Sequence, residues 1–294
     1  MIVDMYKESL DEYPLQGRTI PQKGDPSIIV SRMQITEYFN NAGVSEGDIL
    51  MLHSSLSSIG HMIDGADGLI DGILDALGKS GTLCVPSFWW TPAKPPYRFN
   101  DFDIAKSPGF NGKISETVRK RSEAYRSNNI SHSVVAIGAK AQELTATHGT
   151  YGWRPGPYGV AAFAGDSPWE RLYENNAIYG FLGVVMNVNT MSHYIEHLIF
   201  MELFEKADNN GKETMLNYLS KPFYPEEGWW PTFSFLDMGI RLEQEGLVKK
   251  SKVGSADLRI MRTREMVERT LEILHNEPEA WLVKETAKPF LKWL

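Results

Sequence analysis

The sequence predicts a globular protein of the α/β class: the first of three observations indicates the class, and the other two indicate a globular chain with a large core. Helical and strand patterns alternate from about Ser31 to Phe88 at the spacing that α/β folds use. The apolar fraction of 42% and the charged fraction of 23% are typical of a globular protein. The chain of 294 residues can bury a large core, and its most apolar runs are strand-sized, well short of the ~20 residues that cross a bilayer.

Apolar spacing and glycines define the first elements. Apolar residues at i, i+3, i+4 and i+7 over 35–42 predict a helix that Gly43 ends. A short apolar run over 49–53 predicts a strand, and the next helix is expected over 65–77 before a second strand over 82–85. This alternation predicts a shared and largely parallel sheet.

The later patterns continue this organisation. They predict helices over 112–123, 139–146, 167–174, 190–205, 236–244 and 263–275, and strands over 133–138, 178–185, 247–252 and 257–261. Two irregular stretches rich in aromatic residues, 87–110 and 221–231, are predicted to be loops, and long loops in compact domains usually serve function. We expect residues 1–30 to form an N-terminal extension and residues 31–294 a single domain.

Cysteine content and charge exclude several classes of protein. Cys84 is the single cysteine, which excludes an intrachain disulfide or a thiolate metal cluster and favours a reducing, cytoplasmic compartment. The N-terminus lacks the apolar stretch of a secretory signal. The net charge of −7, without a long basic block, argues against nucleic acid and favours a small cationic partner. We expect no membrane partner, and a homodimer is compatible with these features.

A serine-rich segment, His53 to Gly60, directly follows the strand predicted over 49–53. Ligands of α/β sheets gather at the carboxyl ends of strands. Small residues before a helix offer backbone N–H groups and a positive dipole end to phosphate. The lysine of a P-loop is missing. The segment therefore predicts either an anion-binding loop or a serine-rich turn that caps the next helix.

Arg126 lies in a polar loop that enters the strand predicted over 133–138. A guanidinium beside hydroxyl groups can bind a phosphate through two parallel hydrogen bonds. A surface arginine at the start of a strand would give the same pattern. Both interpretations stay open from this segment alone.

His193, Glu196 and His197 lie at i, i+3 and i+4 of the helix predicted over 190–205, so they share one face. A histidine oriented by a nearby carboxylate is the usual general base near neutral pH. The same string also fits the H-x-x-E-H pattern of a zinc peptidase. The segment alone thus allows a general base, a zinc site or structural histidines.

Six segments occur together in one order: GDILMLHSSLSSIG, GADGLIDGILDALGKSGTL, RSNNISHSVVAIG, SPWERLY, YGFLGV…NTMSHYIEH and KVGSADLRIM. Their order and spacing, over residues 31–275, resemble the aminoglycoside 3-N-acetyltransferase family. The resemblance implies a three-layer α/β/α fold with a central mixed sheet. It also implies acetyl-CoA or another acyl-CoA as co-substrate, a primary amine of an amino sugar as acceptor, and no metal.

The resemblance further implies roles for single residues. The histidine of the family's N-T-x-x-H-x-x-E motif falls on His193, the expected base, with Glu196 as its partner and Thr190 as a candidate donor to the oxyanion. The residues expected to bind the coenzyme are Ser54, Ser55, Leu56, Ser57, Arg126 and Ser127. The N-T pair of the motif places Asn189 at the acceptor. Trp89 and Trp90 are expected to bind the acceptor for a different reason: they follow the strand predicted over 82–85, at the same sheet edge as the serine-rich segment. Lone Cys84, on a predicted buried strand, is a poor nucleophile candidate.

The sequence departs from the family pattern near the expected acceptor. Asn129-Ile130 stands where the family often has a residue followed by proline, and Asn187 replaces an acidic residue. The lost carboxylate favours a nucleotide-linked amino sugar, whereas the negative net charge favours a cationic aminoglycoside. Trp229 and Trp230 could stack on a base or a sugar face. A zinc hydrolase that uses residues 193–197 and a non-catalytic sugar- or coenzyme-binding module are the alternatives.

Overall fold

The computed structural model describes residues 21–89, 102–152, 162–219, 230–282 and 288–294. The strands in these ranges are β1 (Ile29–Val30), β2 (Ile49–Ser54), β3 (His61–Met62), β4 (Thr82–Pro86), β5 (Tyr125–Arg126), β6 (Val134–Gly138), β7 (Ile178–Leu182), β8 (Lys249–Val253) and β9 (Ala256–Arg262). The α-helices are α1 (Arg32–Ala42), α2 (Gly65–Leu77), α3 (Lys113–Arg119), α4 (Ala141–Thr145), α5 (Pro168–Glu174), α6 (Met191–Lys206), α7 (Asn209–Leu219), α8 (Phe235–Gln244), α9 (Thr263–Asn276) and α10 (Pro278–Trp281).

Local capping signals explain why the first helix lies where the sequence predicts it. The Ser31 side chain accepts the backbone N–H of Gln34, and the Gln34 side chain accepts the backbone N–H of Ser31, which together form a capping box. Gly43 ends α1 in the left-handed conformation at φ 104°. Both ends of this helix are therefore set by residues next to it in the chain.

Seven strands form one sheet in the order β5-β6-β4-β2-β7-β9-β8. The three central strands are parallel, because β2 pairs in parallel with both β4 and β7. The pairs on either side are antiparallel: β6 with β4, β5 with β6, β9 with β7 and β8 with β9. The prediction of a largely parallel sheet is therefore wrong, and the prediction of a mixed sheet is confirmed. β5–β6 and β8–β9 are hairpins, which are antiparallel by their connection.

Helices cover both faces of the sheet and give the predicted three layers. Alternate side chains of β2 point to opposite faces: Leu50 and Leu52 pack with α1 and α2, whereas Ile49 and Met51 pack with the helices of the other face. The second face carries α4, α5, α6, α8 and α9. Helix α6, which carries His193, thus lies in one of the two outer layers.

Two predicted elements end at least three residues earlier in the structure than predicted. The helix predicted over 112–123 spans Lys113–Arg119, and the strand predicted over 178–185 ends at Leu182. Gly183 adopts φ 66°, and its N–H makes the last bond to β9, to the carbonyl of Asp257 at 2.8 Å. The chain therefore turns away from the sheet earlier than its apolar run suggests.

Residues 21–30, which the sequence assigns to the N-terminal extension, contact the serine-rich segment. The Gly24 N–H donates to the carbonyl of Ser57 at 2.8 Å, and β1 pairs with β3. A Cβ on Gly24 would lie 2.4 Å from the carbonyl oxygen of Ser58, so the backbones approach closely there. In the described part of the chain, no helix combines the length and the apolar character needed to cross a bilayer.

Candidate active site

The segments singled out in the sequence meet at one edge of the sheet. Ser54, Pro86 and Leu182 end the three parallel strands, so the segments that follow them leave the sheet at the same edge. β6 runs antiparallel to β4, and its first residue, Val134, pairs with Pro86. The loop that carries His132 therefore reaches this edge as well. This is where α/β sheets usually bind ligands.

The side chains of His193 and Glu196 form a hydrogen-bonded pair on the first turns of α6. Nδ1 of His193 lies 2.7 Å from Oε2 of Glu196, and Glu196 is fully buried, at 0% exposure. The His193 side chain is 20% exposed. With Nδ1 engaged by the carboxylate, Nε2 is the ring nitrogen that can exchange a proton with a substrate.

Trp230 donates its indole N–H to the same carboxylate oxygen, Oε2 of Glu196, at 3.1 Å. Its ring stacks on Phe200 with the centroids 4.8 Å apart, and Trp230 is 1% exposed. The suggestion that Trp230 stacks on a substrate is therefore wrong, because its ring is covered by the core. Trp229 lies outside the described residues.

Aromatic rings surround the imidazole of His193. The ring centroids of His132 and Phe163 lie 5.7 Å from it, and that of Phe235 lies 4.9 Å from it. Sequence patterns did not single out these three residues. Only the histidine of the segment RSNNISHS offered a signal, because the other contacts depend on how distant segments pack.

Asn189 and Thr190 lie at the start of α6, and both are buried. The Asn189 side-chain oxygen accepts the N–H of Met191 at 3.2 Å, which satisfies a free donor of the helix terminus. Thr190 lies against Tyr179, whose pKa is raised by burial although hydrogen bonds from Met191 and Thr190 oppose that rise. These contacts belong to the helix terminus and the core, so the predicted roles of both residues toward substrate stay predictions.

The serine-rich segment borders a cleft of about 500 Å³. Ser54, Ser55, Leu56 and Ser57 all line it, together with Gly65 at the start of α2 and the exposed Lys113. The hydroxyl of Ser58, next in the chain, lies 3.0 Å from the Ser55 hydroxyl and 3.3 Å from the Gly183 carbonyl, to either of which it can donate. The cleft therefore combines hydroxyl groups, a helix N-terminus and one ammonium group that the sequence patterns did not single out.

Arg126 is buried and holds loops together. Its guanidinium donates to the carbonyls of Ser107, at 2.6 Å, and Ser87, and to the hydroxyl of Ser133 at 3.2 Å. Burial lowers the pKa of Arg126 to about 10, with a smaller contribution from the charge of Arg119. The interpretation as a surface arginine is wrong, and contact with a coenzyme phosphate stays a prediction.

The hydroxyl of Ser127 also forms a hydrogen bond inside the core. It lies 2.9 Å from Nδ1 of His148, whose Nε2 lies 2.8 Å from the carbonyl of Ala162. A carbonyl only accepts, so His148 donates through Nε2 and accepts at Nδ1. Burial lowers the pKa of His148 to about 4, which favours this neutral tautomer.

Trp89 follows β4 at the same sheet edge, as predicted. Its N–H donates to the carbonyl of Ile130 at 3.1 Å, and its ring lies 5.5 Å from that of Phe102. Trp90 and residues 91–101 lie outside the described residues. The predicted contact of the aromatic segment with the acceptor therefore stays a prediction.

The described residues give no support to a zinc site at His193, Glu196 and His197. Within the ranges described, no three His, Cys, Asp or Glu side chains are grouped so that they could hold an ion. His197 is buried, and burial lowers its pKa to about 4. Cys84 is fully buried, and burial raises the pKa of its thiol to about 12, so it is a poor nucleophile.

Known proteins resemble this chain in sequence. A family model described as aminoglycoside 3-N-acetyltransferase matches residues 51–275. The chain is 26% identical over 277 residues to aminoglycoside N(3)-acetyltransferase VII of Streptomyces paromomycinus, with 81% of this chain and 89% of the relative covered. It is 26% identical over 285 residues to the SPbeta prophage-derived aminoglycoside N(3')-acetyltransferase-like protein YokD of Bacillus subtilis (strain 168). That match covers 89% of this chain and 96% of the relative.

Solved structures share the fold. AAC-IIIb in a binary complex with CoASH superposes with a TM-score of 0.65 at 20% identity, over 84% of this chain and 97% of that chain. The apoenzyme of aminoglycoside acetyltransferase AAC(3)-IVa gives a TM-score of 0.65 at 22% identity, over 94% of this chain and 100% of that chain. These likenesses confirm the predicted fold. Because the family model matches residues 51–275, most of the chain, this protein belongs to the aminoglycoside 3-N-acetyltransferase family and is a CoA-dependent N-acetyltransferase.

Proposed function

We propose that the chain transfers the acetyl group of acetyl-CoA to a primary amine of an amino sugar, with His193 as the general base. The observation that carries this proposal is the 2.7 Å contact between Nδ1 of His193 and Oε2 of the buried Glu196. It supports a histidine whose orientation and tautomer are fixed and whose other nitrogen serves the substrate.

The reaction needs a base because an amino-sugar amine, with a pKa of roughly 8, is mostly protonated at neutral pH. Once neutral, the amine nitrogen attacks the thioester carbonyl, and Nε2 of His193 accepts the proton that nitrogen then loses. Formation of the C–N bond gives a tetrahedral intermediate, which collapses as the C–S bond breaks, and the imidazolium returns its proton to the leaving thiolate. Glu196 stabilises the imidazolium, and general-base catalysis of this kind contributes roughly 10²–10⁴-fold in rate.

The coenzyme is proposed to bind the cleft beside Ser54–Ser57. Backbone N–H groups at the start of α2 and the ammonium group of Lys113 suit its phosphates. Arg126 and Ser127 are proposed to support coenzyme binding indirectly, by holding in place the loop that they anchor. Thr190 or a backbone N–H of this edge is proposed to donate to the oxyanion of the tetrahedral intermediate.

Two classes of acceptor remain candidates. Family membership favours an aminoglycoside. The aromatic rings of His132, Phe163 and Phe235 around His193, together with Asn187 in place of the family's acid, favour an amino sugar with few positive charges, such as a nucleotide-linked one. Aromatic faces bind sugar rings and bases by stacking and do not need several cations.

Thiol release from acetyl-CoA, followed with a panel of aminoglycosides and nucleotide-linked amino sugars, tests the reaction and the acceptor together. We expect His193→Ala to lower kcat by at least ~10²-fold while the affinity for CoA changes only a few-fold. His275→Gln, on the last turn of α9 and away from this edge, is the matched control. A His193→Ala variant that keeps near-full kcat would remove the proposed base.

We also propose that the enzyme works in the cytoplasm as a homodimer, without nucleic-acid or membrane partners. The unpaired thiol of Cys84 supports the cytoplasmic location, and the net charge of −7 supports the absence of a nucleic-acid partner. Sedimentation at assay concentrations measures the oligomeric state, and a monomer would contradict that part.

A further inference from the structure

We propose that Trp230 is a positioning residue that sets how tightly the His193–Glu196 pair holds its proton, and thereby the pH at which the enzyme becomes active. This inference rests on the proposed role of His193 as the base. It assigns to Trp230 a function that lies outside the motif of residues 189–196.

Two donors converge on one carboxylate oxygen. Oε2 of Glu196 accepts from Nδ1 of His193 at 2.7 Å and from the indole N–H of Trp230 at 3.1 Å. The stack of Trp230 on Phe200, at 4.8 Å and 17°, prevents the indole from turning away. Unlike a hydroxyl or a water molecule, an indole N–H only donates and does not titrate, so its effect on the oxygen is constant.

The indole N–H and the imidazole of His193 compete for the negative charge of this oxygen. A hydrogen bond donated to a carboxylate disperses its charge and favours its ionised form. The carboxylate that Trp230 contacts therefore attracts the imidazolium of His193 less strongly than a carboxylate without that donor would. Removal of the indole N–H should therefore strengthen this attraction and move the acid limb of the rate profile to higher pH.

The same short segment contacts the pair from two sides. Trp230 donates to Glu196 in the core, and Phe235, five residues later at the start of α8, places its ring 4.9 Å from the ring of His193. Phe233 packs on Phe235 with the centroids 5.2 Å apart, which holds the segment together. A change at Trp230 is therefore transmitted to the base rather than absorbed by a loop.

Other groups near the pair must be considered in a pH profile. His132, on the loop before β6, carries the other imidazole beside His193, with the ring centroids 5.7 Å apart. His197, next to Glu196 on α6, has its pKa lowered to about 4 by burial and stays neutral there. Phe163, Phe200 and Phe235, the other rings in contact, carry no charge.

Trp230→Phe tests the proposal, because phenylalanine keeps an aromatic ring to stack on Phe200 and has no N–H to donate. We expect the acid limb of the kcat profile to move up by about 0.5–1 pH unit. At about pH 6, kcat should fall several-fold while the plateau near pH 9 and the KM for acetyl-CoA change less than about twofold. Titration of the acceptor amine is common to both proteins, so the difference reports the enzyme.

Trp281→Phe is the matched control. Its indole N–H donates to the carboxylate of Glu277 at 3.3 Å, so the same bond is removed at the far end of α9. We expect that profile to match the unchanged enzyme. An acid limb that stays in place or moves down in Trp230→Phe would overturn the inference.

A measurement on the unchanged enzyme covers the case in which Trp230→Phe does not fold. The indole N–H resonance of Trp230 should shift with pH at the same midpoint as the acid limb of kcat. A resonance that is insensitive to pH across that limb would also overturn the inference. If His193→Ala keeps its activity, the proposed function fails instead, whichever result Trp230→Phe gives.

Discussion

Nε2 of His53 lies 2.8 Å from the phenolic oxygen of Tyr179, in the core between the central strands β2 and β7. The same oxygen accepts the N–H of Met191, at the first turn of α6, at 3.2 Å. One phenol therefore connects the strand that leads into the serine-rich segment with the helix that carries His193. The two halves of the candidate site are coupled through the core.

Tyr179→Phe is expected to lower the free energy of unfolding by about 1–3 kcal/mol, because it leaves buried polar groups of His53 and Met191 without this partner. Urea denaturation measures the change. Tyr125→Phe, at a side chain that is 47% exposed, is the control and should be nearly neutral. Equal stability of the two variants would contradict the importance of this contact.

Gly183→Ala is expected to raise the KM for acetyl-CoA about tenfold, a cost of about 1–3 kcal/mol, and to leave that of the amine unchanged. Gly183 has φ 66°, and a Cβ there would lie 2.5 Å from Cβ of Ser58 and displace the serine-rich segment. Gly246→Ala is the control, since Gly246 has φ 82° with open space around it. An equal effect of both variants on that KM would show that backbone strain alone is responsible.

The protein is expected to lose stability as the pH falls below about 6.5. Burial lowers the pKa of His53 to about 3 and those of His148 and His197 to about 4, so these three are neutral in the fold. The unfolded chain takes up protons at these groups below about pH 6.5, which favours unfolding by up to about 1.4 kcal/mol per group and pH unit until the folded values are reached.

His197→Leu tests how much His197 contributes to this loss of stability at low pH. The Nδ1 atom of His197 has no hydrogen-bond partner among the described residues, so its replacement by leucine breaks no hydrogen bond at that atom. We expect the free energy of unfolding to fall less steeply between about pH 6.5 and 4.5 in this variant than in the unchanged protein. Parallel curves would show that His197 does not contribute.

Removal of divalent metal ions is expected to leave kcat unchanged within about twofold, because the proposed proton transfer uses His193 and Glu196 alone. Dialysis against a chelator, with metal analysis of the protein before and after, is the measurement. Stoichiometric zinc, together with activity that the chelator abolishes and zinc restores, would return the zinc hydrolase to consideration.

Local patterns determined most of the elements and the position of the base. Ser31 begins α1 through its capping box, and Gly43 ends the helix because the left-handed conformation costs glycine little. Both signals lie within a few residues of the helix that they shape. His193 and Glu196 meet because residues three apart share a helix face. Such relations are fixed by short-range geometry, so the sequence by itself specifies them.

Long-range packing decided the rest. The antiparallel pairing of β9 with β7, the burial of Arg126 among the carbonyls of Ser87 and Ser107, and the bond from Trp230 to Glu196 join residues far apart in the chain. Which polar group reaches a given buried carboxylate depends on the fit of whole segments around it. The sequence therefore places the base, and only the tertiary structure shows which side chains hold its carboxylate partner.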